Sequence, residues 1–335
     1  FLQDLLETEM SESSKDSMWL RSCPLARVVA SSIKVSEAAG NVIKTVISGG
    51  DLGVVEKGSE SAPDPQTEAD RAAQYIIVKS LQHKFQEMTI IGEEEKMSTV
   101  DHLELDFDTE PLSLSYSNEL SSLKEEDFVV WVDPLDGTSE IAKVKGTPSL
   151  EILQQVTVLI GITHGGKPVG GVVHQPFYGP EGKGRTLWAV KGHELRPKKS
   201  VEKRGERVVL TTRSHATPTV ENALQELKNR SLLHETVRVS GAGYKVLRLL
   251  DDCAAYVFAS AGCKKWDTAA PQAILEAAGG TLTDISGREL HYSADVQKLN
   301  SGGVLATAPW VSHKEYVDAI PDALKQTLPE IAAKK

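Results

Sequence analysis

The sequence predicts an α/β protein whose N-terminal part is of the α+β type. In the first part, long helical periodicities come before short apolar runs that are rich in β-branched residues. From about residue 208 onward, runs typical of strands alternate with runs typical of helices, which indicates an α/β layer. We therefore predict two subdomains, residues 1–207 and residues 208–335.

Length and charge limit the classes of ligand. A chain of 335 residues can bury a large core without disulfides. The formal net charge of −10 argues against a nucleic acid polymer as partner, because phosphate-backbone affinity requires clustered Lys and Arg. A small phosphorylated ligand remains compatible with this charge. The three cysteines, Cys23, Cys253 and Cys263, have no metal-ligand or CxxC spacing, which is typical of a reducing compartment.

The sequence predicts a cytoplasmic protein. No apolar run approaches the roughly 18 residues that a membrane span requires. The polar stretch 1–15 lacks the apolar region of a signal peptide. We therefore expect no membrane partner.

Two helices are predicted before the first strand. Apolar residues recur at mostly helical spacing over residues 24–48, and the run ends at Gly49-Gly50. Thr67-Glu68-Ala69-Asp70 opens a second helix that continues to about residue 85. Asp70 lies in its first turn, where the helix dipole favours negative charge. This position alone is compatible with a purely structural acid.

A short strand over residues 89–92 leads into three consecutive acids, Glu93, Glu94 and Glu95. Adjacent carboxylates repel one another, so they belong either on a solvated loop or around a cation. Both interpretations remain open from the sequence. Residues 96–126 are acidic and weakly periodic, which predicts a surface excursion without chemistry.

The central feature is an apolar run, 128–130, that leads into Trp131-Val132-Asp133-Pro134-Leu135-Asp136-Gly137-Thr138. It predicts a buried strand that enters a turn at Pro134, because proline cannot donate to the strand ladder. Asp133 and Asp136 can converge on one side of this turn and bind a hard cation such as Mg²⁺. The amides of Gly137 and Thr138 can then face an anion. In the alternative interpretation, both carboxylates only cap the backbone of the turn.

The rest of the chain predicts an antiparallel meander and then alternating elements. Candidate strands cover residues 156–162, 169–174, 186–190 and 208–210, with glycine-rich turns between them. A helix over 218–229, a strand at 237–239, a helix from about 243 and a strand over 255–259 follow. A helix that opens around Trp266, a strand over 303–306 and a helix from about residue 312 complete the chain.

Three stretches of this second part carry candidate chemistry. Gly241-Ala242-Gly243 precedes the helix that bears Lys245, so amides and a cation can meet a phosphate there, or the glycines form only a tight turn. Thr211-Thr212-Arg213-Ser214-His215 is a cluster of donors or a helix N-cap. Asp267 follows Lys264-Lys265-Trp266 at a helix start and is either a cap or a shielded functional acid.

The sequence also resembles a known family. The lithium-sensitive, Mg²⁺-dependent phosphatases related to inositol monophosphatase have three sequence signatures. The chain resembles all three, in the same order and spacing, at Gly92-Glu93-Glu94, at residues 133–138 and at Trp266-Asp267 with Ala270. The resemblance covers roughly residues 25–310. It implies a layered α/β/α/β/α sandwich of the sugar-phosphatase type. The chain departs from the family pattern over residues 139–155 and 196–207.

The resemblance implies an activity. A narrower resemblance, carried by residues 50–57, 89–94, 211–215 and 262–267, implies removal of the 3′-phosphate from adenosine 3′,5′-bisphosphate, which leaves AMP, and from the 5′-phosphosulfate analogue. Water activated by two or three Mg²⁺ ions performs the hydrolysis, and Li⁺ inhibits it by displacing one Mg²⁺. The expected protein is a monomer or weak dimer. Rival hypotheses are an inositol polyphosphate 1-phosphatase acting on inositol 1,4-bisphosphate and a catalytically silent nucleotide or metal sensor.

The resemblance also assigns roles to residues. Thr138 and Asp70 would orient and deprotonate the attacking water. The implied metal ligands are Glu93, Asp133, the Leu135 carbonyl, Asp136 and Asp267. The implied substrate contacts are Gly137, Thr138, Thr212, His215, Gly241, Lys245 and Asp267.

Overall fold

The computed structural model describes residues 12–57, 65–144, 148–199, 201, 205–213 and 217–330. The α-helices are α1 Glu12–Arg21, α2 Pro24–Gly49, α3 Glu68–Lys84, α4 Asn118–Ser121, α5 Thr138–Ala142, α6 Leu150–Leu153, α7 Pro218–Asn229, α8 Ala242–Leu249, α9 Trp266–Ala277, α10 His313–Ala319 and α11 Asp322–Thr327. Two 3₁₀ turns lie at Pro111–Ser113 and Glu125–Asp127. The strands are β1 Val55–Glu56, β2 Pro65–Gln66, β3 Thr89–Gly92, β4 Val129–Asp136, β5 Thr157–His164, β6 Lys167–Gln175, β7 Arg185–Val190, β8 Val208–Thr212, β9 Glu235–Val239, β10 Ala255–Phe258, β11 Thr281–Thr283 and β12 Val304–Thr307.

The first large sheet has the strand order β3-β4-β5-β6-β7. β3 runs parallel to β4, and the remaining neighbours are antiparallel. The predicted meander is therefore confirmed for β5 to β7. Because β3 and β4 are parallel, their C-terminal ends lie at the same edge of the sheet, which brings the residues after Gly92 close to those after Val132.

The second large sheet has the order β11-β12-β10-β8-β9. Its parallel core consists of β8, β9 and β10, and β12 joins β10 in the antiparallel sense. Helices connect the parallel strands, as the alternating pattern after residue 208 predicted. A small hairpin of β1 and β2 stands apart from both sheets.

Three apolar clusters separate the layers. The first lies between α2, α3 and one face of the first sheet. The second fills the space around α8 and α9, between the other face of that sheet and the second sheet. The third joins the second sheet to α7, α10 and α11. The order is therefore α/β/α/β/α, which confirms the layered fold, while the subdomain division at residue 207 stays a prediction.

Helix α9 lies unusually close to the first sheet. A side chain at Gly161 would place its Cβ 2.5 Å from Ala269 Cβ, and one at Gly171 would lie 2.8 Å from the Ala270 carbonyl oxygen. Glycine is the residue that permits such an approach of backbone to helix. As a result, the N-terminus of α9, with Asp267, reaches the edge where β3 and β4 end.

The structure corrects three details of the sequence prediction. The chain does not turn at Pro134: β4 continues to Asp136, and its pairing with β5 is irregular between Asp133 and Asp136, so the missing N–H of proline falls in the irregularity. The three-residue strand β11 was not predicted. The last helical segment is two helices, because Pro321 interrupts the run after α10.

Candidate active site

One cavity of about 390 Å³ collects most of the candidate residues. It lies where β3 and β4 end and where α5, α8 and α9 begin. Its lining includes Glu93, Asp133, Leu135, Asp136, Gly137, Thr138, Thr212, Gly241, Lys245 and Asp267. Asp70 lies behind the cavity wall and contacts Thr138. His215 falls outside the described residues, as do parts of the segments 139–155 and 196–207.

Asp70 is held at the start of α3 by a capping box. Its carboxylate accepts hydrogen bonds from the Thr67 amide at 2.7 Å and from the Thr67 hydroxyl at 2.5 Å. The other carboxylate oxygen faces the Thr138 hydroxyl at 2.8 Å. Burial raises the pKa of Asp70 to about 6, against the lowering effect of these donors. The structure therefore confirms the capping role of Asp70, and the functional interpretation stays a prediction that its contact with Thr138 makes testable.

The Thr138 hydroxyl lies between two acceptors. Its oxygen is 2.8 Å from Asp70 Oδ1 and 2.7 Å from the Leu135 carbonyl oxygen. A hydroxyl has one hydrogen, so it donates to one of the two at a time and offers its lone pairs to the cavity. A threonine in this position can accept a hydrogen bond from a water molecule and relay the proton toward Asp70.

Asp136 is surrounded by donors. One oxygen accepts from the Ala242 amide at 2.9 Å, and the other accepts from the Gly243 amide at 2.8 Å and from the Thr157 hydroxyl at 2.7 Å. Lys245 adds a nearby positive charge that lowers the pKa of Asp136, while burial, the larger effect, raises it. The amides expected to meet a phosphate therefore bind a carboxylate of the protein itself, which corrects that part of the prediction.

Burial and mutual repulsion act on the three other acids of the cavity. Asp133 accepts a hydrogen bond from the Leu135 amide at 3.1 Å and shares a side-chain hydrogen bond with Asp267. Burial, followed by the charges of Glu93, Asp136 and Asp267, raises the pKa of Asp133 well above its usual range. Burial also raises the pKa of Glu93 to about 8 and that of Asp267 to about 6. Like charges are thus gathered in a setting that disfavours their ionisation.

The chemistry of these donors fits a hard divalent cation. Every candidate ligand offers oxygen, and a cation would relieve the repulsion that raises the pKa values. Within the described ranges, however, no three His, Cys, Asp or Glu side chains already meet in an arrangement that can hold a metal ion. The Lys264 amide binds Asp267 at 2.7 Å, and the Ala242 and Gly243 amides bind Asp136.

Lys57 provides a cation beside the acidic turn. Its ammonium lies 2.6 Å from Glu94 Oε1 and 3.4 Å from Glu93 Oε1. The Glu94 side chain is only 1% exposed, and its second oxygen has no hydrogen-bond partner in the structure as described. One lysine therefore serves two adjacent carboxylates, which leaves the turn short of positive charge.

The remaining wall of the cavity is suited to an organic phosphate. Lys245 is buried, donates to the Gly241 carbonyl at 3.0 Å and has its ammonium 5.1 Å from the centre of the Tyr256 ring. Thr212, Tyr256 and Phe258 line the same side. Burial lowers the pKa of Lys245, although nearby Asp136 opposes this effect. Aromatic surface, a hydroxyl and an ammonium form a mixed wall of the kind that small-molecule sites use.

Sequence reasoning assigned no role to two supporting residues. Thr157 lies on β5 and reaches Asp136, and nothing in its sequence neighbourhood distinguishes it from other strand threonines. Gln74 lies one turn after Asp70 on α3 and bonds to the backbone of Glu94. Its position at i+4 from a candidate acid was the available signal, because such residues share a helix face.

Comparison with known proteins gives the family. Residues 25–325 match the profile of the Inositol monophosphatase family. The chain belongs to this family. It is 44% identical to "3'(2'),5'-bisphosphate nucleotidase 1" of Homo sapiens, over 91% of this chain and 97% of that protein. A Dictyostelium discoideum protein of the same name is 33% identical, over 88% of this chain and 96% of its own length.

Solved structures agree with the family fold. An IMPase of Thermotoga maritima superposes with a TM-score of 0.60 at 20% identity, over 89% of this chain and 98% of that chain. The suhB protein of Bartonella henselae gives a TM-score of 0.62 at 19% identity, over 87% and 96% of the respective chains. At these identities the likeness concerns the fold, which is the layered arrangement described above.

Proposed function

We propose that this chain is a Mg²⁺-dependent phosphatase that removes the 3′-phosphate from adenosine 3′,5′-bisphosphate to give AMP. The 5′-phosphosulfate analogue is a second proposed substrate. The observation that carries the proposal is that four acids, Glu93, Asp133, Asp136 and Asp267, line one cavity beside the Asp70–Thr138 pair. The 44% identity to a bisphosphate nucleotidase supports the choice of substrate.

The proposed ligands for two or three Mg²⁺ ions are the four cavity acids, Glu93, Asp133, Asp136 and Asp267, together with the carbonyl of Leu135. Mg²⁺ bound there would supply Lewis-acid chemistry: it would lower the pKa of a bound water below that of bulk water and neutralise charge on the phosphate ester. Inhibition by Li⁺, which the family resemblance implies, stays a prediction.

The chain's own residues handle the proton. With the Thr138 hydrogen directed at Asp70, the oxygen of the hydroxyl accepts a hydrogen bond from the attacking water and orients it. The proton then moves through the hydroxyl to Asp70, whose raised pKa of about 6 makes it a stronger base than an exposed aspartate. The Thr67 donors keep the carboxylate aimed at Thr138 during the transfer.

The other proposed roles concern the substrate. Lys245 and Thr212 face the cavity, where they would contact phosphate and nucleoside groups, and Asp267 would contact the sugar as well as the metal. The amides of Gly137 and Thr138 would receive phosphoryl oxygens, and Gly241 would contact the nucleotide. The volume of about 390 Å³ lies in the usual range for small-molecule sites.

A phosphate-release panel tests the proposal. The purified protein is assayed on adenosine 3′,5′-bisphosphate and inositol 1,4-bisphosphate, with Mg²⁺ and with EDTA. We expect Mg²⁺-dependent release with the higher kcat/KM on the nucleotide. A higher kcat/KM on the inositol bisphosphate would favour the inositol polyphosphate 1-phosphatase hypothesis. If neither substrate releases phosphate, the proposed hydrolysis is refuted and the sensor hypothesis remains.

Several properties of the protein remain predictions. Among the described residues, no helix combines the length and the apolar composition needed to cross a bilayer. A cytoplasmic location, a monomer or weak dimer, and the absence of nucleic acid polymers as partners follow from sequence and resemblance alone.

A further inference from the structure

Gln74 binds both backbone polar groups of Glu94. Its amide nitrogen donates to the Glu94 carbonyl oxygen at 2.5 Å, and its amide oxygen accepts from the Glu94 N–H at 2.8 Å. The Gln74 side chain is buried, with 3% of the residue exposed. Two hydrogen bonds from one planar amide fix both the position and the orientation of the peptide they hold.

The topology explains why a side chain is needed at this place. β3 is the edge strand of its sheet, and its last contact with β4 is the Glu93 N–H donating to the Val132 carbonyl at 3.1 Å. Glu94 follows at a buried position, where unpaired backbone groups are costly. The Gln74 amide supplies the partners that no further strand provides.

The contact depends on a glycine. A Cβ atom at Gly92 would lie 2.4 Å from Gln74 Oε1 and 2.6 Å from Gln74 Cδ. No real Cβ approaches another heavy atom so closely. The glycine that precedes Glu93 therefore leaves the space in which the Gln74 amide lies.

One helix face thereby connects two parts of the candidate site. Asp70 and Gln74 are four residues apart on α3, so both project from the same face. Asp70 contacts Thr138, which follows β4, and Gln74 contacts Glu94, which follows β3. Helix α3 thus contacts both the turn that carries Glu93 and the residue that follows the end of β4, the strand that carries Asp133 and Asp136.

Electrostatic repulsion would distort the Glu93-Glu94 turn if no other contact held it in place. Glu93 and Glu94 are adjacent, and Lys57 is shared between them. Asp133 and Asp267 repel Glu93 from the other side of the cavity. A turn held only by its ladder bond to β4 would be free to rotate the Glu93 side chain away from these charges.

We propose that Gln74 is a positioning residue of the cation site: its amide holds the Glu93-Glu94 turn so that the Glu93 carboxylate stays in the cavity. The proposal rests on the cation site of the proposed function. It makes no use of phosphate hydrolysis, so the two can be tested separately. Supporting residues around metal ligands typically change metal affinity by about 10–100-fold.

The experiment measures Mn²⁺ binding by loss of the free-ion electron paramagnetic resonance signal, without substrate. Gln74→Met keeps the length and the helix preference of the side chain but loses both hydrogen bonds. The matched control is Ser80→Ala, since Ser80 is buried on the same helix and accepts the Glu104 N–H at 2.9 Å, away from the cavity. A second variant, Gly92→Ala, displaces the amide without altering it. Thermal unfolding in EDTA checks that each variant folds.

We expect the Mn²⁺ dissociation constant to rise at least tenfold in Gln74→Met and in Gly92→Ala, and to stay within twofold of the wild type in Ser80→Ala. Folded Gln74→Met with wild-type affinity would overturn the proposal. If Gln74→Met does not fold, Gly92→Ala decides in the same way. A wild-type protein that binds Mn²⁺ but releases no phosphate would refute the proposed function and leave this inference standing. A wild-type protein that binds no Mn²⁺ would refute both.

Discussion

Asp133 and Asp136 lie three residues apart on one strand but have opposite surroundings. Asp136 accepts three hydrogen bonds, from the Ala242 and Gly243 amides and the Thr157 hydroxyl, and it has Lys245 nearby. Asp133 accepts the Leu135 amide, faces three other acids and shares a hydrogen bond with one of them, Asp267. Both are buried. The fold therefore compensates one carboxylate and leaves the other dependent on an external charge.

This difference divides the site into two parts. In the structural part, around Asp136, groups of the protein compensate the carboxylate; in the adjustable part, around Asp133, the carboxylate depends on an external charge. Asp136 connects β4 of the first sheet to the start of α8, so its contacts contribute to the packing of α8 against that sheet. Asp133 accepts the Leu135 amide within its own strand, and its side-chain contact across the cavity is with another acid, Asp267. We infer that removing the charge of Asp136 weakens the fold, whereas removing that of Asp133 relieves it.

The largest effect is expected for Asp136→Asn. The substitution replaces one acceptor oxygen by an NH₂ group that faces donors, and it removes a negative charge near the buried Lys245 ammonium. Each buried donor left without an acceptor costs about 1–3 kcal/mol of the free energy of unfolding. Urea unfolding in EDTA measures the change. A variant as stable as the wild type would show that the three hydrogen bonds of Asp136 do not stabilise the packing of α8 against the first sheet.

The different surroundings of Asp133 and Asp136 could not be predicted from the sequence. Hydrophobic periodicity and turn residues predicted α2, α3, β3 and the meander, because these signals are local. The acids were also predictable, since each follows an apolar strand or opens a helix. The distinction between Asp133 and Asp136 depends on α8, more than a hundred residues away, and no local pattern contains it.

The same limit explains the two corrections at the site. The glycines at 241 and 243 indicated free amides for a phosphate, yet the fold places a carboxylate there first. Pro134 indicated a turn, yet β5 pairs on both sides of it through an irregular register. In both cases a tertiary partner determined the outcome, and the partner lies on a distant element.

A buried histidine outside the site shows how burial disfavours a charged side chain. His174 is buried on β6, bonds Thr186 through Nδ1 and has Lys44 nearby. Burial, with Lys44 contributing, lowers the pKa of His174 to about 4, against a small opposite effect of the Arg185 backbone. Glu37, which accepts from the Thr186 hydroxyl, is the nearest acidic group of α2 in this network.

The sign of the pH effect follows from this lowered pKa. Between pH 6.5 and about 4 the unfolded chain binds a proton that the folded chain does not, so the free energy of unfolding falls as the pH falls through this window. The full loss is about 3 kcal/mol. His174→Asn should remove this part of the acid destabilisation, in Mg²⁺ and in EDTA alike. Equal pH profiles for the variant and the wild type would contradict the assignment.

The smallest effect, and the one of opposite sign, is expected for Asp133→Asn. The amide keeps an oxygen for the Leu135 N–H but removes one negative charge from the group of acids. In EDTA the free energy of unfolding should therefore rise by on the order of 1 kcal/mol, the size of one interaction between partly screened charges. Added Mg²⁺ should stabilise the wild type by mass action and leave this variant unchanged, because a proposed ligand is missing. Thermal and urea unfolding with and without Mg²⁺ measure both changes. If Asp133→Asn destabilises the metal-free protein as Asp136→Asn does, the two carboxylates are equivalent and the division of the site into a structural and an adjustable part is wrong.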